Sequence, residues 1–147
     1  MVLLAKDIMD RNILTVPVGT DALTCARKMA EARKGYAVVT RDGPTTIAGI
    51  VTEWDFLEKV VVKGMDAAKT PIDSIATPVV HTCSPDTPTD EVASKMASLG
   101  VRRIVVRSGD QVVGIITSRG VLSAFRQYVD KLTAEIAGYQ AQGTPLG

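Results

Sequence analysis

The chain is poor in the residues from which most metal and redox sites are built. Its 147 residues include one histidine, His81, and two cysteines, Cys25 and Cys83. A structural zinc takes about four such ligands, so these are too few for a site made by one chain, and too few for a disulfide framework. Sparse thiols fit a reducing compartment, and the expected location is the cytoplasm. An excess of charge is missing as well. The 17 Lys and Arg nearly cancel the 16 Asp and Glu, leaving +1. That excludes a nucleic-acid binder held by phosphate neutralisation alone. No apolar run approaches the ~18–20 residues of a membrane span, and Met1–Ala5 meets Lys6 and Asp7 too soon for a signal-peptide core. What is abundant is hydrophobic surface, at 46% of residues, which excludes an acidic disordered chain. A chain of this length can bury roughly 68–70% of its unfolded surface.

The chain repeats itself. A shift of 67 places Thr15 on Thr82, Ala26 on Ala93, Lys28-Met29 on Lys95-Met96 and Ala30 on Ala97. One turn is two residues shorter in the second copy, and the shift becomes 65. Gly49-Ile50-Val51-Thr52 then falls on Gly114-Ile115-Ile116-Thr117, and Leu57 on Leu122. Each unit begins with a short strand (13–16; 79–82). A helix follows, capped by Thr20 or Asp21 in the first copy and by Thr87 ahead of Pro88 in the second. Its apolar face is Cys25, Ala26, Met29 and Ala30, or Val92, Ala93, Met96 and Ala97. Gly100 stops the second of these helices. A buried strand (36–39; 103–106), a hairpin and a return strand ending at Thr52 or Thr117 come next, and a second helix closes the unit. A short segment (6–9; 72–76) precedes each copy. The fold class is therefore α+β: two β-α-β-β-α repeats, each with a bare sheet face, packed sheet to sheet with pseudo-two-fold symmetry. The expected boundaries are 1–68 for the first repeat and its linker, 69–128 for the second, and 129–147 for a helical tail that extends the last helix.

This pattern resembles a tandem pair of cystathionine-β-synthase (CBS) domains, a Bateman module. The resemblance covers roughly Ala5 to Tyr128. Its strongest marker is Gly49-Ile50-Val51-Thr52-Glu53-Trp54-Asp55, which matches the Gly-h-x-Thr/Ser-x-x-Asp ligand motif of the family in full. Thr52 ends a strand and opens a helix, so its hydroxyl and the first-turn N–H groups suit a phosphate. Asp55 can accept two hydrogen bonds from a vicinal diol, as acidic residues do for ribose elsewhere. The resemblance implies the same roles: Asp55 on ribose, Thr52 by the phosphate. The competing reading makes Thr52 an N-cap and Asp55 a first-turn acid. The second copy departs from the motif. It keeps Thr117 but has Gly120 in place of the acid, so one good nucleoside site per chain is expected.

Other positions follow from the resemblance. Arg102 and Arg103 stand where family members carry basic residues toward the phosphates, and guanidinium groups suit such contacts. The alternative is a solvated strand edge. Gly35-Tyr36 replaces them in the first copy, which brings Tyr36 into the candidate set. Thr15 and Val16 lie where the family's backbone meets the adenine. The implied ligand is AMP or ATP, then ADP, NAD or S-adenosylmethionine, with no required cofactor and no metal. The implied function is a non-enzymatic, energy- or metabolite-sensing regulator that acts by ligand-dependent conformational change on an effector protein, as a homodimer. The main rival is a ligand-free structural or dimerisation module working through its surface and tail. An enzyme is disfavoured by the lack of a P-loop, GxGxxG fingerprint, metal cluster or second His. Membrane and nucleic-acid partners are not expected.

Three features stay outside that core. His81 and Cys83 alternate along a strand and read as a loop histidine and a small buried thiol rather than a catalytic pair. Trp54, the only tryptophan, lies inside the motif. The tail presents Val121, Phe125, Tyr128, Leu132, Ile136 and Tyr139 as one apolar stripe, for dimerisation or for docking an effector.

Overall fold

The computed structural model describes residues 3–43, 46–79 and 81–141. Helix α1 (Ala5–Ile8) leads into β1 (Thr15–Pro17), α2 (Ala22–Ala32), β2 (Tyr36–Thr40), β3 (Ile47–Thr52) and α3 (Glu53–Phe56), which continues as a π-helical turn over Leu57–Val61. Two short 3-10 turns, Ala67–Lys69 and Ile72–Ser74, join this unit to β4 (Thr82–Cys83), α4 (Thr89–Leu99), β5 (Arg103–Ser108), β6 (Gln111–Thr117) and α5 (Ser118–Ala141). Each repeat makes one three-stranded sheet, β1-β2-β3 or β4-β5-β6, with a parallel first pair and an antiparallel second pair. The α+β double repeat is as the periodicity requires.

Three apolar clusters hold the molecule. Cys25, Met29, Ala37, Val39 and Val51 form the helix-side core of the first repeat, and Val92, Met96, Ile104, Val106 and Ile116 that of the second. The third lies between the sheets, where Tyr36 and Val38 of β2 meet Val105 and Ile115. Alternation along each strand sends one set of side chains to the helices and the other to the opposite sheet.

The leading segments behave differently from the expectation that each belongs to the repeat it precedes. Ala5 of α1 is buried in the core of the second repeat, and Ile72 and Ile75 in that of the first. Main-chain pairs follow the same crossing. The N–H of Asp10 donates to Ile115 and that of Ile115 returns to Asp10, at 2.8 and 3.0 Å. Their counterparts Ile50 and Thr77 exchange two bonds of 2.8 Å. Ala5 donates to Thr87 and Ile72 to Thr20, again related by the repeat. The crossing chain passes so close that only glycine fits beside it. A Cβ on Gly49 would stand 2.8 Å from the Thr77 carbonyl oxygen, and one on Gly114 would meet the Met9 side chain. The glycine that opens each Gly-h-h-Thr segment thus serves the crossing.

Several local expectations are corrected. Asp21 caps α2, accepting from the Thr24 N–H at 2.8 Å. In the second repeat the N-cap residue of α4 is Pro88, not Thr87, whose hydroxyl accepts from the Ser84 N–H at 3.1 Å and closes a turn instead. Proline has no side-chain acceptor, so α4 relies on first-turn acids Asp90 and Glu91. Ala30 and Ala97 face solvent, which narrows both helix faces. Gly100 ends α4 in the left-handed region at φ 65°, as expected, and Arg33 holds the equivalent place on α2 at φ 53°. Cys25 is fully buried, which pushes its thiol up to about 11, and Cys83 is half-buried; both are free thiols. Among the described residues no helix is long and apolar enough to cross a membrane, and no group of three His, Cys, Asp or Glu could hold a metal.

On α5 the tail stripe divides. Val121, Ala124 and Tyr128 are half-buried toward the body, whereas Leu122, Phe125, Val129, Leu132, Ile136 and Tyr139 are exposed. The helix is continuous through residue 128, so repeat and tail are one rod.

The two glycines differ in what a methyl group would strike, which is rigid backbone at Gly49 and a flexible Met side chain at Gly114. Gly49→Ala is expected to lower unfolding free energy by about 1–3 kcal/mol in urea titration, and Gly114→Ala by less.

Candidate functional site

The two repeats leave a cleft on each side of the sheet sandwich, related by the pseudo-two-fold axis. The first has a volume of about 370 Å³. Thr52 and Asp55 enter from the β3–α3 junction, Thr77, Pro78, Val79 and His81 from the crossing segment, and Arg102 and Arg103 from the start of β5. Ile50, Val101 and Val105 complete an apolar floor. The cleft is therefore composite, with the acidic motif from one repeat and the cations from the other. Geometry of this kind, apolar with a few convergent polar groups, is what small-molecule sites share.

Asp55 is 7% exposed. Its Oδ2 accepts from the Thr52 N–H at 2.8 Å and the Thr52 hydroxyl at 3.2 Å, and its Oδ1 pairs with Lys59 Nζ at 2.9 Å. A carboxylate offers about four acceptor positions, so about one remains. The expectation that Asp55 takes two further hydrogen bonds from a diol requires Lys59 to let go. Lys59 Nζ also donates to the Ile75 carbonyl at 2.9 Å, so it has a second anchor when it does. The phosphate role of the helix end is also reduced. Glu53 N–H is already given to the Gly35 carbonyl at 3.1 Å, and regular α3 is only four residues long. Positive charge in this cleft comes chiefly from the arginines.

The second cleft, of about 590 Å³, gathers Asp10, Asn12, Arg33, Lys34, Tyr36, Glu53, Arg102, Arg103, Thr117 and Arg119. Asp10, Asn12, Lys34 and Tyr36 in it are engaged with one another. Lys34 pairs with Asp10, and the Tyr36 hydroxyl donates to the same carboxylate at 3.1 Å. Burial opposes ionisation of Asp10, but the Lys34 hydrogen bond, the Asn12 N–H, the Tyr36 hydroxyl and the Lys34 charge outweigh it and hold the carboxyl below its ordinary value. Burial, with Asp10 beside it, pushes the Tyr36 phenol up. Arg103 lies over the Tyr36 ring, with its guanidinium carbon 5.7 Å from the centroid, and Nη2 donates to the Gly35 carbonyl at 3.4 Å. Burial pushes Arg103 down, against the nearby Glu53 and Tyr36. Its Nε is buried without a hydrogen-bond partner among the described residues. Thr117 is spent as a helix cap, its hydroxyl oxygen accepting from the Gly120 N–H at 3.0 Å.

The sequence-predicted residues thus separate. Thr52, Asp55, Arg102 and Arg103 share the first cleft. Tyr36 and Thr117 line the second, where both arginines also reach. Thr15 and Val16 line neither: Thr15 is exposed, and the Val16 side chain is fully buried in the first repeat's core. Strand pairing alone does not sort them, since Tyr36 is opposite Thr52 yet lines the other cleft, whereas Arg103 is opposite Thr117 and shares its cleft. His81 is a loop residue ahead of β4, as expected, and is half-buried where it lines the first cleft. Lys59 and residues 77–79 belong to the cleft without standing out in the sequence. The repeat alignment contains the signal for 77–79, because a shift of 67 carries Asp10–Asn12 onto them. Trp54 is 67% exposed and lines neither cleft.

Two β-α-β-β-α repeats back to back, with a cleft at each side of the joint, define a two-repeat α+β module. The CBS domain family model matches residues 5–62 and 72–127, and the chain belongs to that family. A conserved protein of Pyrococcus horikoshii superimposes with a TM-score of 0.78 at 30% identity, over 86% of this chain and 94% of that one. A CBS domain protein of Pyrobaculum aerophilum, complexed with AMP, gives 0.73 at 26% identity, covering 80% of this chain and 89% of that one. L-Aspartate semialdehyde sulfurtransferase of Methanosarcina acetivorans is 31% identical over 119 residues, which make 80% of this chain and 23% of the relative. The chain therefore spans about a quarter of the length of that curated relative.

The Asp10 network carries a pH signature. Because the folded carboxyl titrates below the unfolded one, its stabilising contribution is complete above about pH 4 and is lost as pH falls through the lowered folded value. Asp10→Asn is expected to lower stability at neutral pH and to flatten the acid limb of a stability–pH curve; an unchanged limb would contradict the assignment.

Proposed function

We propose that the chain is a regulatory module that binds an adenosine nucleotide in the first cleft, with AMP or ATP the leading ligands and ADP, NAD or S-adenosylmethionine the lesser ones. The observation that carries this is the composite cleft, in which Thr52 and Asp55 face Arg102 and Arg103 across an apolar floor. The base suits the surface of Ile50, Val79, Val101 and Val105. Asp55, once Lys59 turns away, is the acceptor for ribose hydroxyls. Arg102 is exposed and free to meet phosphate bidentately, and Arg103 can leave Tyr36 for the same anion. The AMP complex of the Pyrobaculum aerophilum relative supports the ligand class. Thr117 and Tyr36 belong to the second cleft, which their own contacts occupy, and Thr15 and Val16 act at most through backbone.

Regulation follows from the cleft's two-sided construction. A ligand that joins groups of both repeats favours the arrangement in which those groups are closest. It shifts the equilibrium by no more than its difference in affinity for the two arrangements, and an effector protein senses the shift. No catalytic step is proposed. The rival reading, a module that works by its surface, is favoured by one observation, the exposed apolar face of α5.

Calorimetric titration separates these readings. AMP should bind close to one site per chain, and Arg102→Ala should weaken AMP at least tenfold, about 1.4 kcal/mol, while leaving adenosine unchanged. Two equal independent sites would overturn the assignment to the first cleft. If none of AMP, ADP, ATP, NAD and S-adenosylmethionine raises the melting temperature at millimolar concentration, the surface-module reading stands in its place.

A further inference from the structure

Asp55 is held from within by a residue of its own helical stretch. Lys59 Nζ lies 2.9 Å from Asp55 Oδ1, with the acid side chain 10% exposed and the lysine side chain 34%. A lysine four places after an acid is a common helical pair, and on an open surface it stabilises little. This pair differs in two respects. The carboxylate is buried, so the charge-assisted bond is made where water screens it poorly. The ammonium also has two partners on the crossing segment, the Ile75 carbonyl at 2.9 Å and the Thr77 hydroxyl at 3.5 Å. An ammonium has three donors, which matches these three oxygens. Lys59 lines no wall of the cleft, so it meets the cleft through Asp55.

The repeat supplies an independent observation. A shift of 65 places Asp55 on Gly120 and Lys59 on Ala124, so acid and lysine are present together in the first copy and absent together from the second. The backbone differs at the same place. Lys59 lies in the π-helical turn Leu57–Val61, closed by the Val62 N–H donating to the Leu57 carbonyl at 2.9 Å, whereas Ala124 sits in the continuous α-helix α5. Turns of this kind recur at functional sites.

A vicinal diol at Asp55 needs more acceptor positions than Thr52 and Lys59 leave. Lys59 must give up Oδ1, and the Ile75 and Thr77 oxygens are already in reach to keep it. Thr77 is also the residue that exchanges two main-chain bonds with Ile50 at the crossing. We infer that Lys59 is a positioning residue that reports occupancy of the cleft: it holds Asp55 while the cleft is empty, and a diol displaces it onto the Ile75 and Thr77 oxygens, where it braces the crossing. The inference rests on the nucleotide reading of the first cleft and adds the route by which a ligand there acts on the joint. Lys59 also sets a threshold, because every diol competes with an internal cation.

Calorimetry on the full chain with AMP and 2′,3′-dideoxy-AMP tests the holding role. An exposed pair of this spacing would change affinity by about twofold. With Asp55 buried, Lys59→Met should strengthen AMP by about fivefold or more and leave the dideoxy compound unchanged, with the circular dichroism of the fold retained. Lys59→Gln should move AMP in the same direction, and Lys59→Arg, which keeps the charge, should stay near the unsubstituted chain. Hydrogen exchange reads the transfer. Saturating AMP should slow the Thr77 and Ile50 amides more in the unsubstituted chain than in Lys59→Met. AMP bound equally or more weakly by Lys59→Met, a gain shared by the dideoxy compound, or equal slowing in both chains would overturn the inference and leave the nucleotide reading intact. If neither chain binds AMP, the nucleotide reading falls and this inference with it.

Discussion

The structure depends on a main-chain crossing made twice. Each leading segment packs on the repeat it does not precede, and a pair of backbone hydrogen bonds locks it there: Asp10 with Ile115, and Thr77 with Ile50. Without the first segment the second repeat loses Ala5 from its core, and without the second the first loses Ile72 and Ile75. Neither repeat is complete alone. The crossing also makes the clefts. Immediately after Thr77 the chain supplies Pro78, Val79 and His81 to the first cleft, and Asp10 and Asn12 belong to the second. The wall of each cleft is thus the continuation of the bond pair that joins the repeats.

The same backbone carries two different clefts because a few side chains differ. Asp55 on α3 has Gly120 as its counterpart on α5, Tyr36 has Arg103, and Asp10 has Thr77. In the second cleft these choices bring Asp10, Lys34, Tyr36 and Arg103 together, so the Asp10 charge is met by Lys34. In the first, Arg102 is left exposed over an apolar floor. Arg103 belongs to both. It rests on Tyr36 in one cleft and lines the other, and its buried Nε has no partner among the described residues. Arg102 lines both clefts as well, but it is exposed where Arg103 is half-buried.

Much of this was legible before any coordinates. Internal repetition announced two units, alternating apolar strands announced sheets with one face to helices and one to each other, and Gly-h-h-Thr followed by an acid announced the family and the strand–helix junction. Periodicity takes in one residue too many on each helix face, at Ala30 and Ala97, and merges on α5 two stripes that the structure separates. Both errors have the same origin. Small or apolar residues occur on the outer face as well, and periodicity alone does not say which of two adjacent stripes points inward.

What the sequence by itself determined is local and repetitive: the strands, the helices, their order, and a motif whose residues lie within seven positions of one another. Tertiary structure alone decided the rest, namely the exchange of leading segments, the union of Asp55 with Arg102 and Arg103, the removal of Val16 into the core, and the enclosure of Lys34 and Tyr36 with Asp10. These associations link residues far apart in the chain. They depend on which face of each sheet meets the other and on how closely a crossing backbone can pass a glycine. Such distances are set by packing between elements and leave no periodic trace in any one of them.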